Sequence, residues 1–207
     1  MKPTPTVQEL QDPARYRLLE RLAFERLLPF IWRWYGQKAS WITLLHFALT
    51  LAPAVWLVAA LVNRDGRGSP AKDLAWSLAG LLVLLPLHEL IHAAAFRLAG
   101  VKDIRFGFTL KELTLYTIAH NSPLSAPAFP LAALAPSLAL TPPLLAAALW
   151  SPELRVIALA LLALHTSAAV GDIALVNYFY LNRGLRIWTF DDADSRETFF
   201  YAAREQA

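Results

Sequence analysis

A mainly α polytopic membrane bundle of about four spans, with an N-terminal amphipathic helix and a small β-hairpin after the second span, is the fold class this 207-residue sequence predicts. Three features carry that expectation. Hydrophobic residues make up 57% of the chain and charged residues only 17%, whereas water-soluble domains run near ~25% charged, so there are too few charges to coat a water-facing surface. Residues 39–63 and 121–152 contain no Asp, Glu, Lys or Arg, and either stretch exceeds the ~20 residues a helix needs to cross a bilayer. The cations that remain are segregated along the chain. The same hydrophobicity excludes a disordered chain. The absence of cysteine excludes a disulfide framework, a thiolate metal site and a cysteine nucleophile, leaving His, Asp and Glu as metal ligands. A net charge of +3 is a small excess and reads as a topology signal, with no nucleic-acid partner expected.

The elements follow in order. Residues 1–38 form a charged cytoplasmic segment. Asp12-Pro13 is a helix start, and over 16–34 the residues Leu18, Leu19, Leu22, Ala23, Leu27, Phe30, Ile31 and Trp34 recur at helical spacing between charged neighbours. That pattern predicts an amphipathic helix, either on the membrane surface with Trp32, Trp34 and Tyr35 at headgroup level or packed on the rest of the protein. No short apolar stretch near Met1 resembles a cleaved signal peptide. Residues 39–181 form the membrane domain. Its first span is 39–63 and its second is 74–99, interrupted by His88, Glu89, His92 and Arg97. Over 101–120 the period changes to two on both sides of Lys111-Glu112, which predicts the hairpin. The third span, within 121–152, carries Pro123, Pro127, Pro130, Pro136, Pro142 and Pro143 and is expected to be kinked or broken. The fourth, 154–181, holds one acid, Asp172. Residues 182–207 form a charged cytoplasmic tail with a short extended piece at 187–190.

Loop charges set the orientation. With four spans and the N-terminus inside, fifteen of the nineteen Lys and Arg residues face the cytoplasm, and only Arg64, Arg67, Lys72 and Arg155 lie outside. Both termini are therefore expected in the cytoplasm.

His88-Glu89-Leu90-Ile91-His92 is the central motif. On a helix, side chains at i and i+4 project from one face, so both imidazoles can reach one zinc ion. Glu89 stands beside the first ligand, placed to act as general base. Ionisable groups inside an apolar span are costly and mark function. Pro86 can bend this helix and admit water. A catalytic zinc takes three protein ligands and leaves one position open, and the only acid in any other span is Asp172. Counting roughly 1.5 Å per residue, His88, His92 and Asp172 all fall in the cytoplasmic half, and Gly171 offers close approach for a helix or the metal. The alternative for Asp172 is a structural pair with a donor such as Asn177. His165, seven residues before Asp172, reads as a core histidine or a supporting one. His46 reads as packing or a local hydrogen bond, and His120-Asn121 as a loop pair able to donate to an oxyanion.

With these residues in hand, the chain resembles the bacterial integral membrane family named "Putative zincin peptidase", itself similar to the site-2 protease type of intramembrane metalloprotease. The resemblance covers residues 82–181 and rests on HELIHAAAFRLAG, YTIAHNSPLSAPAFPLAALAPSL and HTSAAVGDIALVNYF. It implies zinc held by His88, His92 and Asp172, with Glu89 as the catalytic acid/base, and a membrane-associated β-element after the metal-binding helix. The Asn-Pro-Asp-Gly-like motif that usually carries the third ligand of site-2 proteases is absent, so their substrate rules do not carry over. The expected function is a membrane-embedded zinc metallopeptidase of a bacterial cell membrane, cutting a membrane or membrane-proximal protein. In this reading the hairpin at 104–118 takes the substrate as an added strand. The alternative is a membrane metal-binding or proton-relay subunit without hydrolysis.

Overall fold

The computed structural model describes residues 4–63, 69–109 and 114–204. The chain begins with a single helical turn, α1 (Val7–Leu10), closed by a capping box between Thr6 and Glu9. Strand β1 (Tyr16–Ala23) follows, then a short 3-10 turn, α2 (Leu27–Ile31) and a π-helical turn (Trp32–Gln37). The amphipathic helix expected over 16–34 is thus corrected: its first half is a strand. The reason lies at the other end of the chain, where β6 (Glu197–Ala203) is rich in aromatic and β-branched residues. It pairs antiparallel with β1 from Tyr16↔Ala203 to Ala23↔Glu197, and that ladder overrides local helix spacing. Trp34 is also no interfacial anchor. It is buried, with its ring 4.7 Å from that of Tyr178, in an aromatic core that includes Phe30 and Phe200. Trp32 is exposed.

Three long helices dominate the rest: α3 (Trp41–Val62), α4 (Pro70–Leu98) and α5 (Ala128–Trp150). Ser40 caps α3 by accepting the Ile42 N–H, and Pro70 opens α4. Gly100 stops α4 at φ 92°, a left-handed position that suits glycine. At 22, 29 and 23 residues, all three are long and apolar enough to cross a bilayer. Their outward leucines and valines, such as Leu44 and Val55 on α3 and Leu82 and Val83 on α4, are exposed. A surface of that kind suits lipid and would aggregate in water. The expected fourth span is a bent pair, α6 (Arg155–Ala168) and α7 (Val170–Leu181), meeting at 47°. The proline-rich α5 is one helix with Pro136, Pro142 and Pro143 inside it.

Between α4 and α5, β2 (Ile104–Thr109) and β3 (Thr114–Ala119) pair antiparallel from Ile104↔Ala119 to Thr109↔Thr114. The expected turn at Lys111-Glu112 lies outside the described residues. β4 (Leu124–Ser125) joins β5 (Ile187–Asp192), and the second sheet runs β1-β6-β5-β4. Both ends of the chain therefore build one small sheet at the end of the bundle where α4 stops and α7 finishes. Asn177, fully buried on α7, donates to the Trp34 and Lys38 carbonyls and accepts from Ser40 Oγ, locking the π-helical turn and the start of α3 onto α7.

Candidate metal centre

His88 and His92 lie one turn apart on α4, and Asp172 enters from the first turn of α7. The break at Ala169 matters here, since the 47° bend re-aims α7 after α6. His88 Nε2 and His92 Nε2 are 3.1 Å apart, and Asp172 Oδ2 is 3.3 Å from the first and 3.4 Å from the second. A tetrahedral zinc with bonds of 2.0–2.2 Å sets its ligand atoms about 3.3–3.6 Å apart. The two separations to Asp172 fall in that range and the one between the histidines is about 0.2 Å shorter, so the three atoms approximate one face of such a tetrahedron.

Proton bookkeeping points the same way. His92 Nδ1 donates to the Ala132 carbonyl at 3.0 Å, which fixes the tautomer and leaves Nε2 as a lone pair. Asp172 contributes further acceptors. A single proton on His88 Nε2 can serve only one of these neighbours, whereas a divalent cation satisfies all three atoms. Asp172 keeps 21% of its side chain exposed, so the centre is reachable. Asn177, the alternative partner for Asp172, is committed elsewhere. Gly171 does not provide the close approach expected of it: a Cβ there would meet only Ile31 Cδ1, at an ordinary 3.7 Å.

The Ala132 carbonyl has a local cause. Proline at position 136 has no N–H, so the carbonyl four residues earlier, that of Ala132, loses its helical donor, and the proline ring pushes it outward. That carbonyl is the one His92 Nδ1 uses. The proline thus supplies the acceptor that orients a ligand.

Glu89 points to a different neighbour. The Thr117 hydroxyl donates to Glu89 Oε2 at 2.8 Å and lies 3.1 Å from the Glu89 backbone carbonyl. β3 therefore touches the carboxylate directly. Sequence reasoning did not find Thr117, because nothing local distinguishes it from the other threonines of the alternating segment. Of the remaining candidates, His165 is buried with its ring 5.4 Å from that of His88, and its Nε2 has no hydrogen-bond partner among the described residues. His46 bridges Tyr35 Oη and the Thr166 carbonyl, both at 2.9 Å.

His120 groups instead with Asp192 and Asp194. This second cluster suits a metal poorly. His120 Nδ1 accepts the Ala193 N–H at 3.0 Å, and its Nε2 lies 3.0 Å from Asn121 Nδ2, so both ring nitrogens are already engaged. Asp194 pairs with Arg105 at 2.9 Å, and Asp192 Oδ1 accepts two backbone N–H groups. Beside it, Asp191 is buried and accepts from Thr198 Oγ1 and from the Ala119 N–H, which ties the end of β3 to the sheet. Burial pushes the Asp191 carboxyl up to about 6, against the pull of those two hydrogen bonds and of His120.

Comparison with known proteins gives one match: residues 81–183 fit the family described as "Putative zincin peptidase". No curated protein and no solved structure matches the chain. The matched residues run from ahead of the His88–His92 motif to just past α7. With both histidines, Glu89 and Asp172 inside it, the segment 81–183 belongs to the putative zincin peptidase family.

Proposed function

We propose that the chain is a membrane-embedded zinc metallopeptidase that hydrolyses peptide bonds of a membrane-bound or membrane-proximal protein. The observation that carries this reading is the tetrahedral spacing of His88 Nε2, His92 Nε2 and Asp172 Oδ2, with Glu89 next to the first of them. His88, His92 and Asp172 would hold the zinc, which when bound would supply Lewis-acid chemistry, a more acidic water and a polarised substrate carbonyl. Glu89 is the base that takes the proton of the attacking water. Thr117 engages Oε2, which leaves Oε1 for that proton and for its delivery to the leaving amine.

β3 is the natural place for substrate. One of its edges pairs with β2, and along Thr114–Ala119 no strand pairs with the other among the described residues. A substrate segment added there as a strand lies on the element that touches Glu89, with its helix unwound and its peptide bonds presented. A metal-binding or relay subunit needs no such carboxylate held beside the ligands, and Glu89 with its Thr117 contact therefore favours the enzyme. The reading places both termini and the sheet in the cytoplasm of a bacterial cell.

The test is cleavage of a quenched-fluorescent library of single-span peptides by zinc-loaded protein in lipid nanodiscs, wild type against Glu89→Gln. Wild type is expected to cleave, and Glu89→Gln to bind the same peptides and leave them intact. Equal cleavage by the two proteins contradicts the role of Glu89, and no cleavage by zinc-loaded wild type contradicts the peptidase.

A further inference from the structure

Four arginines from three separate parts of the chain meet at one end of the four-stranded sheet. Arg15 and Arg17 stand at the start of β1, Arg186 just ahead of β5 and Arg204 just past β6. The backbone holds them together. The Ala203 N–H donates to the Arg186 carbonyl at 3.0 Å and the Arg204 N–H to the Arg15 carbonyl at 2.9 Å. Arg17 faces Ala202 in one ladder, and Ile187 faces Ala202 in the next. These side chains line a cavity of about 790 Å³, within the range of roughly 300–1,000 Å³ of small-ligand sites. Tyr16, Trp188 and Leu185 give it an apolar wall.

The charges there are unbalanced. Among the described residues, Glu9 is the only acid lining the cavity, and it is taken by Arg15 at 3.0 Å. Among the described residues, Arg17, Arg186 and Arg204 pair with no acid, although Arg21, four residues beyond Arg17 on β1, pairs with Glu197 at 2.6 Å. Gathering cations without counter-charge is repulsive, and a fold that keeps them together marks a place for an anion. Planar guanidinium groups converging from several directions match the oxygens of a phosphate better than a point charge would. The position fits as well. Arg186 follows the end of α7 at Leu181 by five residues, a span of at most about 17 Å, and Arg183 between them stacks on Tyr180 with its guanidinium 4.5 Å from the ring. The cavity therefore lies close to the end of the last apolar helix.

We propose that this cavity is a binding site for the phosphate group of an organophosphate anion, held by Arg17, Arg186 and Arg204. A phospholipid headgroup and a soluble phosphomonoester both offer that chemistry, and two arms of one experiment separate them. The full chain, purified in dodecyl maltoside, is examined by native mass spectrometry in mixed micelles containing phosphatidylglycerol or phosphatidylcholine, and by calorimetric titration with glycerol 3-phosphate. The variants are Arg186→Gln with Arg204→Gln, the single Arg17→Gln, and a control of equal charge change, Arg26→Gln with Arg33→Gln. Removing one basic residue near a lipid surface weakens anion binding about fivefold, so the double variant is expected to lose about 30-fold and the single variant about fivefold. The control should stay within about twofold. All these side chains are exposed, so the fold does not depend on them. Selective loss of phosphatidylglycerol retention assigns the site to a lipid headgroup, and selective loss of glycerol 3-phosphate binding assigns it to a soluble phosphate. Equal loss in the control, or no binding of either probe by wild type, overturns the proposal.

Discussion

Pro136→Ala separates the role of one side chain in helix stability from its role at the metal centre, because the two effects have opposite signs. The proline lies in α5 and is fully buried. Alanine restores an N–H to position 136, which can reclaim the Ala132 carbonyl for the helix. Relieving a proline inside a helix is worth up to ~3 kcal/mol, offset by a small packing loss of about 1 kcal/mol for the missing ring carbons. The metal-free protein should therefore be as stable as wild type or up to about 2 kcal/mol more stable. The His92 ring loses its exclusive acceptor at 3.0 Å. Removal of such an outer partner typically lowers metal affinity 10–100-fold, about 1.4–2.8 kcal/mol. Thermal unfolding of metal-free protein in detergent reads the first effect, and competition for zinc against a chelator reads the second. Unchanged zinc affinity in a folded Pro136→Ala protein would refute the link from proline to carbonyl to ligand.

Three further outcomes follow from the same geometry. Thr117→Val keeps the shape of β3 but removes the donor to Glu89 Oε2, a charge-assisted bond worth about 1.5–3 kcal/mol. Turnover should fall roughly 10–150-fold with zinc content unchanged, Thr117→Ser should restore most of it, and wild-type turnover in the valine variant would contradict the contact. Asp191 has a folded value near 6 against 3.8 unfolded, so the native state holds the extra proton. Its contribution favours folding at acid pH and is lost as pH rises from about 4 through 6, by roughly 2–3 kcal/mol in all. Asp191→Asn should flatten that part of the pH–stability profile, and a wild-type slope retained in the variant would exclude Asp191 as its source. Gly66→Cys and Glu153→Cys, in a chain without other cysteines, should react with an impermeant maleimide outside intact cells, while Arg196→Cys should not. The reverse pattern would invert the proposed orientation.

What could be read from the sequence was what is local. Charge-free runs long enough to cross a bilayer correspond to α3 and α5, and period-two alternation over 104–118 corresponds to two paired strands. His88 and His92 needed only the i, i+4 geometry of a helix, and Asp172 stood out as the one acid in a late apolar segment. What failed was non-local. Leu18, Leu19 and Leu22 fit a helical face, and only β6, more than 170 residues later, makes them a strand. Thr117 and Asp191 draw their meaning from partners 28 and 72 residues away, distances at which no spacing rule operates. Pro136 was legible as a helix breaker, but its consequence depends on His92, 40 residues from the carbonyl it frees.

Metal content of the purified protein tests the central claim most directly. Wild type and Glu89→Gln, prepared side by side with His88→Ala, His92→Ala and Asp172→Ala and analysed by mass spectrometry of the metals, should divide into two groups. The first two should carry about one zinc per chain, as expected for a three-ligand centre beside a carboxylate that is not a ligand, and the three alanine variants should carry almost none. Stoichiometric zinc in Asp172→Ala, or its loss in Glu89→Gln, would contradict the account.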